Sequence, residues 1–279
     1  MRTLTISMAF AAMMFAVQPL EAQGVPAAPT LTYADLADLA LAAPVVAHVR
    51  VERSDALSER ETSGVPAGHR RFLIEASVVA LIRGTGGLPP RVSYLVDLPN
   101  DSRGRAQRIR RRTEYLVFAS RVPNRPAELR LAAPDAQLPA SPELAERLRG
   151  ILRDSIAPDA APAIVGIGRA FHVPGSLPGE SETQIFLLAS DDRPISLSVL
   201  RRPGEQPRWS VALGEMVDNA AAAPQPETLL WYRLACTLPR ELPAQSVSEA
   251  TPQEAQAIRA DYRLVMEGLG TCTRSRIPR

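Results

Sequence analysis

Residues 71–120 alternate so regularly that they permit little except paired β-strands. Phe72, Ile74, Ala76, Val78, Ala80 and Ile82 fall on one face of a first strand, and Leu73, Glu75, Ser77, Val79 and Leu81 share the other. A period of two with one wholly apolar face predicts a strand buried on that side and half-buried on the other. Gly84, Gly86 and Gly87 break the run, and Pro89 with Pro90 prevents a helix from starting. Val92, Tyr94, Val96 and Leu98 resume the alternation, which predicts a hairpin whose connection exceeds a two-residue turn. A third run, residues 115–119, follows an arginine-rich loop at residues 99–113.

The flanks extend this pattern. Thr32 is placed to cap a short helix with Asp35 in its first turn and Leu36, Leu39 and Ala40 on its buried stripe. Pro44 ends that helix, and Val45, Ala47, Val49 and Val51 then alternate with Val46, His48 and Arg50 as a half-buried strand. Residues 55–68 are polar and read as a loop, and residues 128–131 read as a fifth strand. Ser141 followed by Pro142 opens a helix with Leu144, Leu148, Ile151 and Leu152 along one side. Five strands between two helices suit a small closed or partly closed β-barrel.

The segments 42–49, 78–84 and 114–118 together resemble the OB-type barrel of the netrin and metalloproteinase-inhibitor (TIMP-like) superfamily, over residues 33–153. The resemblance implies an OB-like barrel. Members of that superfamily often carry a cysteine pair at the start of the mature chain; residues 33–153 contain no cysteine, so inhibitor activity does not carry over. The whole chain resembles an exported bacterial protein.

Residues 157–162, rich in alanine and proline, read as a linker between an OB-like β domain (33–156) and an α+β domain (163–279). Residues 164–173 read as a strand with Val165, Ile167, Phe171 and Val173 on one face and Gly166 and Gly168 on the other, leaving room for close approach. Residues 183–190, 195–199 and 209–213 follow as strands separated by turn signals, an antiparallel four-stranded meander. Helices over residues 227–238 and from Thr251 onward should cover one face; Thr251 with Glu254 makes a capping-box pattern, and Gly268 and Gly270 mark the end. The expected fold class is α+β: a five-stranded OB-like barrel flanked by helices, then the meander covered by two C-terminal helices.

Met1 and Arg2 precede an apolar run at residues 4–17 that is short for a membrane span, and small residues follow it. This reads as a signal peptide over residues 1–22 cut after Ala22, or alternatively after Ala27, leaving a tail at 23–32 and no transmembrane anchor. Removing Arg2 and Glu21 leaves the net charge at +2, too small to prefer acidic partners overall. The expected location is periplasmic or secreted, an oxidising setting in which the two cysteines, Cys236 and Cys272, should form a disulfide worth about 2–4 kcal/mol.

Two groups of residues are candidates for function. Arg103, Arg105, Arg108, Arg110, Arg111 and Arg112 crowd one loop with only Asp101 to offset them, and guanidinium groups fork around phosphate and carboxylate oxygens. No aromatic residue is interleaved to stack on bases, so nucleic acid is not an expected partner. His172 with Ser176, Glu180 and Glu182 surrounds a Gly/Pro loop and offers acid–base chemistry. Glu215 and Asp218 read as a helix-start cap, and His48 as structural. No nucleophile elbow, zinc-binding helix or phosphate loop is present, and neither cofactor nor metal is expected. Three readings of function stand: a non-catalytic binding or interaction protein of the bacterial envelope, whose partner is an envelope protein or an anionic polymer; a periplasmic hydrolase with His172, Glu180 and Glu182 in its site; and an anion-binding module using the arginine loop.

Overall fold

The computed structural model describes residues 31–58, 63–214 and 222–276. The signal-peptide assignment, Glu215 and Asp218 lie outside these residues. From Leu31 onward the chain forms one compact unit.

Five strands close a barrel: β1 (Val45–Ala56), β2 (His69–Arg83), β3 (Arg91–Pro99), β4 (Glu114–Val122) and β5 (Arg125–Leu131). Their order around the barrel is β1-β2-β3-β5-β4, closed by pairing of β4 with β1. Every pairing is antiparallel except β3 with β5, which meet only at Ser93–Glu128 and Tyr94–Leu129. A short β6 (Gln137–Pro139) adds to β4. This is the five-stranded barrel the alternation predicts, OB-like in its strand order, with helix α1 (Tyr33–Ala42) before it and α2 (Pro142–Ile156) after it.

The barrel interior is aliphatic with two aromatics. Val45, Ala47, Val49 and Val51 of β1 meet Phe72, Ile74 and Ala76 of β2, Val92, Tyr94 and Val96 of β3, and Val117 and Ala119 of β4. Tyr94 keeps its hydroxyl satisfied inside the barrel by donating to Gln137 Oε1 at 2.9 Å, and burial pushes its phenol upward. Past Val78 the expected facing of β2 fails. Val49 pairs with Val78 but His48 pairs with Ala80, so one extra residue bulges out of β2, and a second bulge follows before Arg83. Each bulge reverses the alternation. Val79 is turned outward, Leu81 packs on the barrel core, and Ile82 packs on the other core.

That other core lies outside the barrel. It joins Val46, Leu116 and Phe118, on the outer faces of β1 and β4, to α1, α2 and a second sheet with its helices. Residues 116–119 of β4 are therefore buried on both faces, which explains their unbroken apolar run.

The second sheet is the expected meander, β7 (Ile164–Pro174), β8 (Ser181–Ala189), β9 (Ile195–Arg201) and β10 (Arg208–Ala212), in order β10-β9-β8-β7. Helices α3 (Leu229–Ala235) and α4 (Pro252–Leu269) pack on one face. Irregular register in β7 splits the face predicted for it: Ile167 is buried while Val165, Phe171 and Val173 are exposed. Gly166 and Gly168 do admit a close neighbour, because a Cβ at Gly166 would lie 3.2 Å from the Leu188 side chain.

Three helix starts follow their sequence signals. Thr32 and Asp35 form a capping box, Ser141 caps α2 ahead of Pro142, and Thr251 with Glu254 forms the capping box of α4. Helix α3 starts later than expected, capped by Thr228, because Glu227 adopts a left-handed backbone with φ 57°. Gly270, at φ 74°, ends α4, whereas Gly268 lies inside the helix against the Trp209 ring. The tail beyond it is tied back by the Cys236–Cys272 disulfide. No helix among the described residues is long and apolar enough to cross a membrane.

Candidate anion-binding surface and a histidine relay

The arginine loop connects β3 to β4, which are not neighbours in the barrel, so it crosses one end of the barrel rather than closing a hairpin. Two apolar side chains hold it there: Ala106 and Ile109 pack against the barrel core. Its backbone is pinned at both ends. Asn100 N donates to Gly68 O at 2.8 Å, Arg112 N donates to Val51 O at 2.7 Å, and Val51 N donates to Thr113 O at 2.9 Å. Asp101 organises the first turn by accepting from the backbone N–H groups of Arg105 and Arg103, which hold its carboxyl below the ordinary range.

All six arginines of the loop are exposed. Arg105 pairs with Asp101 at 3.0 Å and Arg111 with Glu52 at 3.4 Å. Arg103, Arg108, Arg110 and Arg112 form no ion pair among the described residues. The loop is thus a fixed backbone displaying four guanidinium groups that no described residue pairs.

Next to it lies a cleft that the sequence does not announce. A cavity of about 610 Å³ opens where β3 and β5 part, floored by Leu73 and Leu95 and flanked by Arg71, Arg125 and Arg130. Arg71 donates through Nε and Nη2 to the two oxygens of Asp97, at 2.7 and 2.9 Å, and Asp97 is buried. Arg71 also borders a second depression, of about 280 Å³, lined by Asn100, Gly104 and Ala106 of the arginine loop. One surface therefore runs from the cleft past Arg71 to the loop. The separation of β3 from β5 depends on strand pairing between distant segments, so no local signal marks it.

His172 meets partners other than those nearest in sequence. Its Nδ1 lies 2.8 Å from Thr183 Oγ1, the hydroxyl of Thr183 donates to Asp261 Oδ2, and Nε and Nη2 of Arg201 both donate to Asp261 Oδ1. Thr183 and Asp261 are buried. Glu180 instead accepts from the backbone N–H groups of Ser176 and Leu177 within its own turn. Glu182 alternates with Thr183 along β8, faces the opposite side of the sheet, and accepts from Gln184. His172, Glu180 and Glu182 are therefore not gathered into one site. His48, read as unpartnered from its sequence neighbours, reaches Glu114 Oε2 at 2.8 Å across the β1–β4 pairing, and Arg50 with this histidine holds the Glu114 carboxyl below its ordinary range.

No group of three or more His, Cys, Asp or Glu side chains among the described residues is placed to hold a metal ion. No protein-family model matches the chain, and no curated protein matches it in sequence.

Proposed function

We propose that this is an exported binding protein of the bacterial envelope that holds an anionic polymer on the arginine loop of its barrel. The observation that carries this reading is the anchoring of the loop: Ala106 and Ile109 fix its path on the barrel core while Arg103, Arg108, Arg110 and Arg112 stay exposed and, among the described residues, without an ion pair. A loop whose backbone is already fixed loses less conformational freedom on binding than a floppy one, so more of the charge-assisted hydrogen bonding appears as affinity. The adjoining cleft extends the same surface, with Arg130, and Arg125 paired with Glu128, flanking an apolar floor. The disulfide supports export, because such bridges persist in oxidising compartments.

The test is binding to immobilised heparin, used as a generic sulfated polyanion, over a range of salt concentrations. Affinity should fall steeply as salt screens the contacts. Arg103→Gln, Arg108→Gln and Arg110→Gln combined should weaken binding by at least about tenfold while leaving thermal unfolding unchanged. Salt-insensitive or absent binding, or undiminished binding by the triple variant, would sink the proposal.

A further inference from the structure

We infer that a small pocket on the second sheet, bounded by His172 and Ser246, binds a hydroxyl-rich ligand of about one sugar ring. The argument starts from where the relay places its protons. Asp261 is buried and ion-paired with Arg201, so its carboxylate accepts only. The single proton of the Thr183 hydroxyl goes to Asp261. The Thr183 oxygen must then accept from His172, which puts the imidazole proton on Nδ1. In the neutral ring, Nε2 is left with its lone pair on the edge away from Thr183.

His172 lines a pocket of about 260 Å³ together with Arg169, Gln245, Ser246, Glu249 and Glu254, the last a carboxylate that spends Oε2 on the backbone and hydroxyl of Thr251 and interacts electrostatically with His172. Ser246 is 3% exposed, and its hydroxyl has no hydrogen-bond partner. A buried hydroxyl left without a partner costs about 1–3 kcal/mol, which a bound group can recover. The pocket therefore offers a donor without an acceptor at Ser246 and an acceptor without a donor at His172. A ligand hydroxyl answers both, accepting from Ser246 while donating to His172 Nε2. The rim adds further matches. Gln245 presents a planar amide, and Arg169 with Glu249, paired at 3.3 Å, both donors and an acceptor. The volume falls just below the roughly 300–1,000 Å³ typical of small-molecule sites, so it suits a single ring rather than a chain of them. This site is independent of the arginine loop.

The experiment is NMR of the protein with labelled histidine rings and labelled serines, titrated with free glucose and free N-acetylglucosamine. His172 should read as the Nδ1–H tautomer at neutral pH. One of the two sugars should shift the His172 and Ser246 signals saturably. Ser246→Ala should weaken that binding about tenfold with unfolding stability unchanged or raised, since it removes an unsatisfied group. His172→Asn should weaken it similarly, and His172→Gln, which returns an acceptor near the Nε2 position, should weaken it less. An Nε2–H tautomer, no saturable shift with either sugar, or shifts undiminished in Ser246→Ala would each overturn the inference, leaving water as the only occupant.

Discussion

Asp35, in the first turn of α1, accepts hydrogen bonds from the backbone and hydroxyl of Ser275, 240 residues later, at 3.0 and 2.6 Å. The same carboxylate accepts from the backbone of Arg276 and completes the Thr32 capping box. Burial alone would push the group upward, but these hydrogen bonds outweigh it and bring it from 3.8 down to about 2. A depressed folded-state value means stability that is fully present above the unfolded value and lost as pH falls towards the folded one. Between about pH 4 and about pH 2, Asp35 should therefore forfeit about 2 kcal/mol. Urea unfolding of wild type and Asp35→Asn across that window checks it: the two curves should converge as pH falls, and parallel curves would contradict the assignment.

The tail that reaches Asp35 is positioned by the Cys236–Cys272 disulfide, which closes a separation of 36 residues. Arg274 follows at once and donates to both oxygens of Asp38, which also accepts from Tyr232. Chain entropy for a loop of this length gives about 4 kcal/mol. Replacing both cysteines by serine should lower the melting temperature by on the order of 10 °C. The Asp35 pH dependence should shrink in the same variant, because the tail then samples other positions. A full-size acid transition without the disulfide would show that the tail docks on its own.

Arg71 and Asp97 make the ion pair beside the barrel cleft, with Asp97 only 2% exposed. Arg71→Leu leaves that carboxylate buried without a counter-charge and should cost about 3–5 kcal/mol. Adding Asp97→Leu should restore much of the loss, since two apolar groups replace a desolvated pair. Chemical denaturation of the two single variants and the double variant reads the coupling. Additive losses would mean that the pair contributes no mutual stabilisation.

Much of the barrel is legible in the residues themselves, because a sheet with one buried face writes its register as alternation. The helix starts at Thr32, Ser141 and Thr251 are legible for a similar reason: capping is completed within three residues. The bulges at Val79 and Ile82 are not, since an extra residue in β2 is fixed by what β1 presents across the ladder. The same limit applies to the sites. The arginine cluster is visible as composition, yet its anchoring depends on Ala106 and Ile109, two modest apolar residues inside a polar run. The relay joins Thr183 to Asp261 across 78 positions, and only the packing of α4 on β8 brings them together.

Arg112 separates the fold of the arginine loop from its binding. Its backbone sits at φ 68°, a left-handed conformation that costs a side-chain-bearing residue about 1–2 kcal/mol, while its N–H holds Val51 O at 2.7 Å. Its guanidinium has no ion-pair partner among the described residues, so no ion pair there offsets that cost. Arg112→Gly keeps the hydrogen bond, relieves the strain and removes one charge. Thermal stability should rise by about 1 kcal/mol, while heparin affinity falls and its salt dependence becomes shallower. Arg112→Ala removes the same charge and keeps the strain, so it should match the glycine variant in binding and wild type in stability. If the glycine variant gains stability and binds heparin like wild type, Arg112 stands outside the ligand's path and the grip rests on Arg103, Arg108 and Arg110. If both stability and binding fall, the Arg112 side chain holds the loop in place, and the loop is not the pre-formed surface the proposal requires.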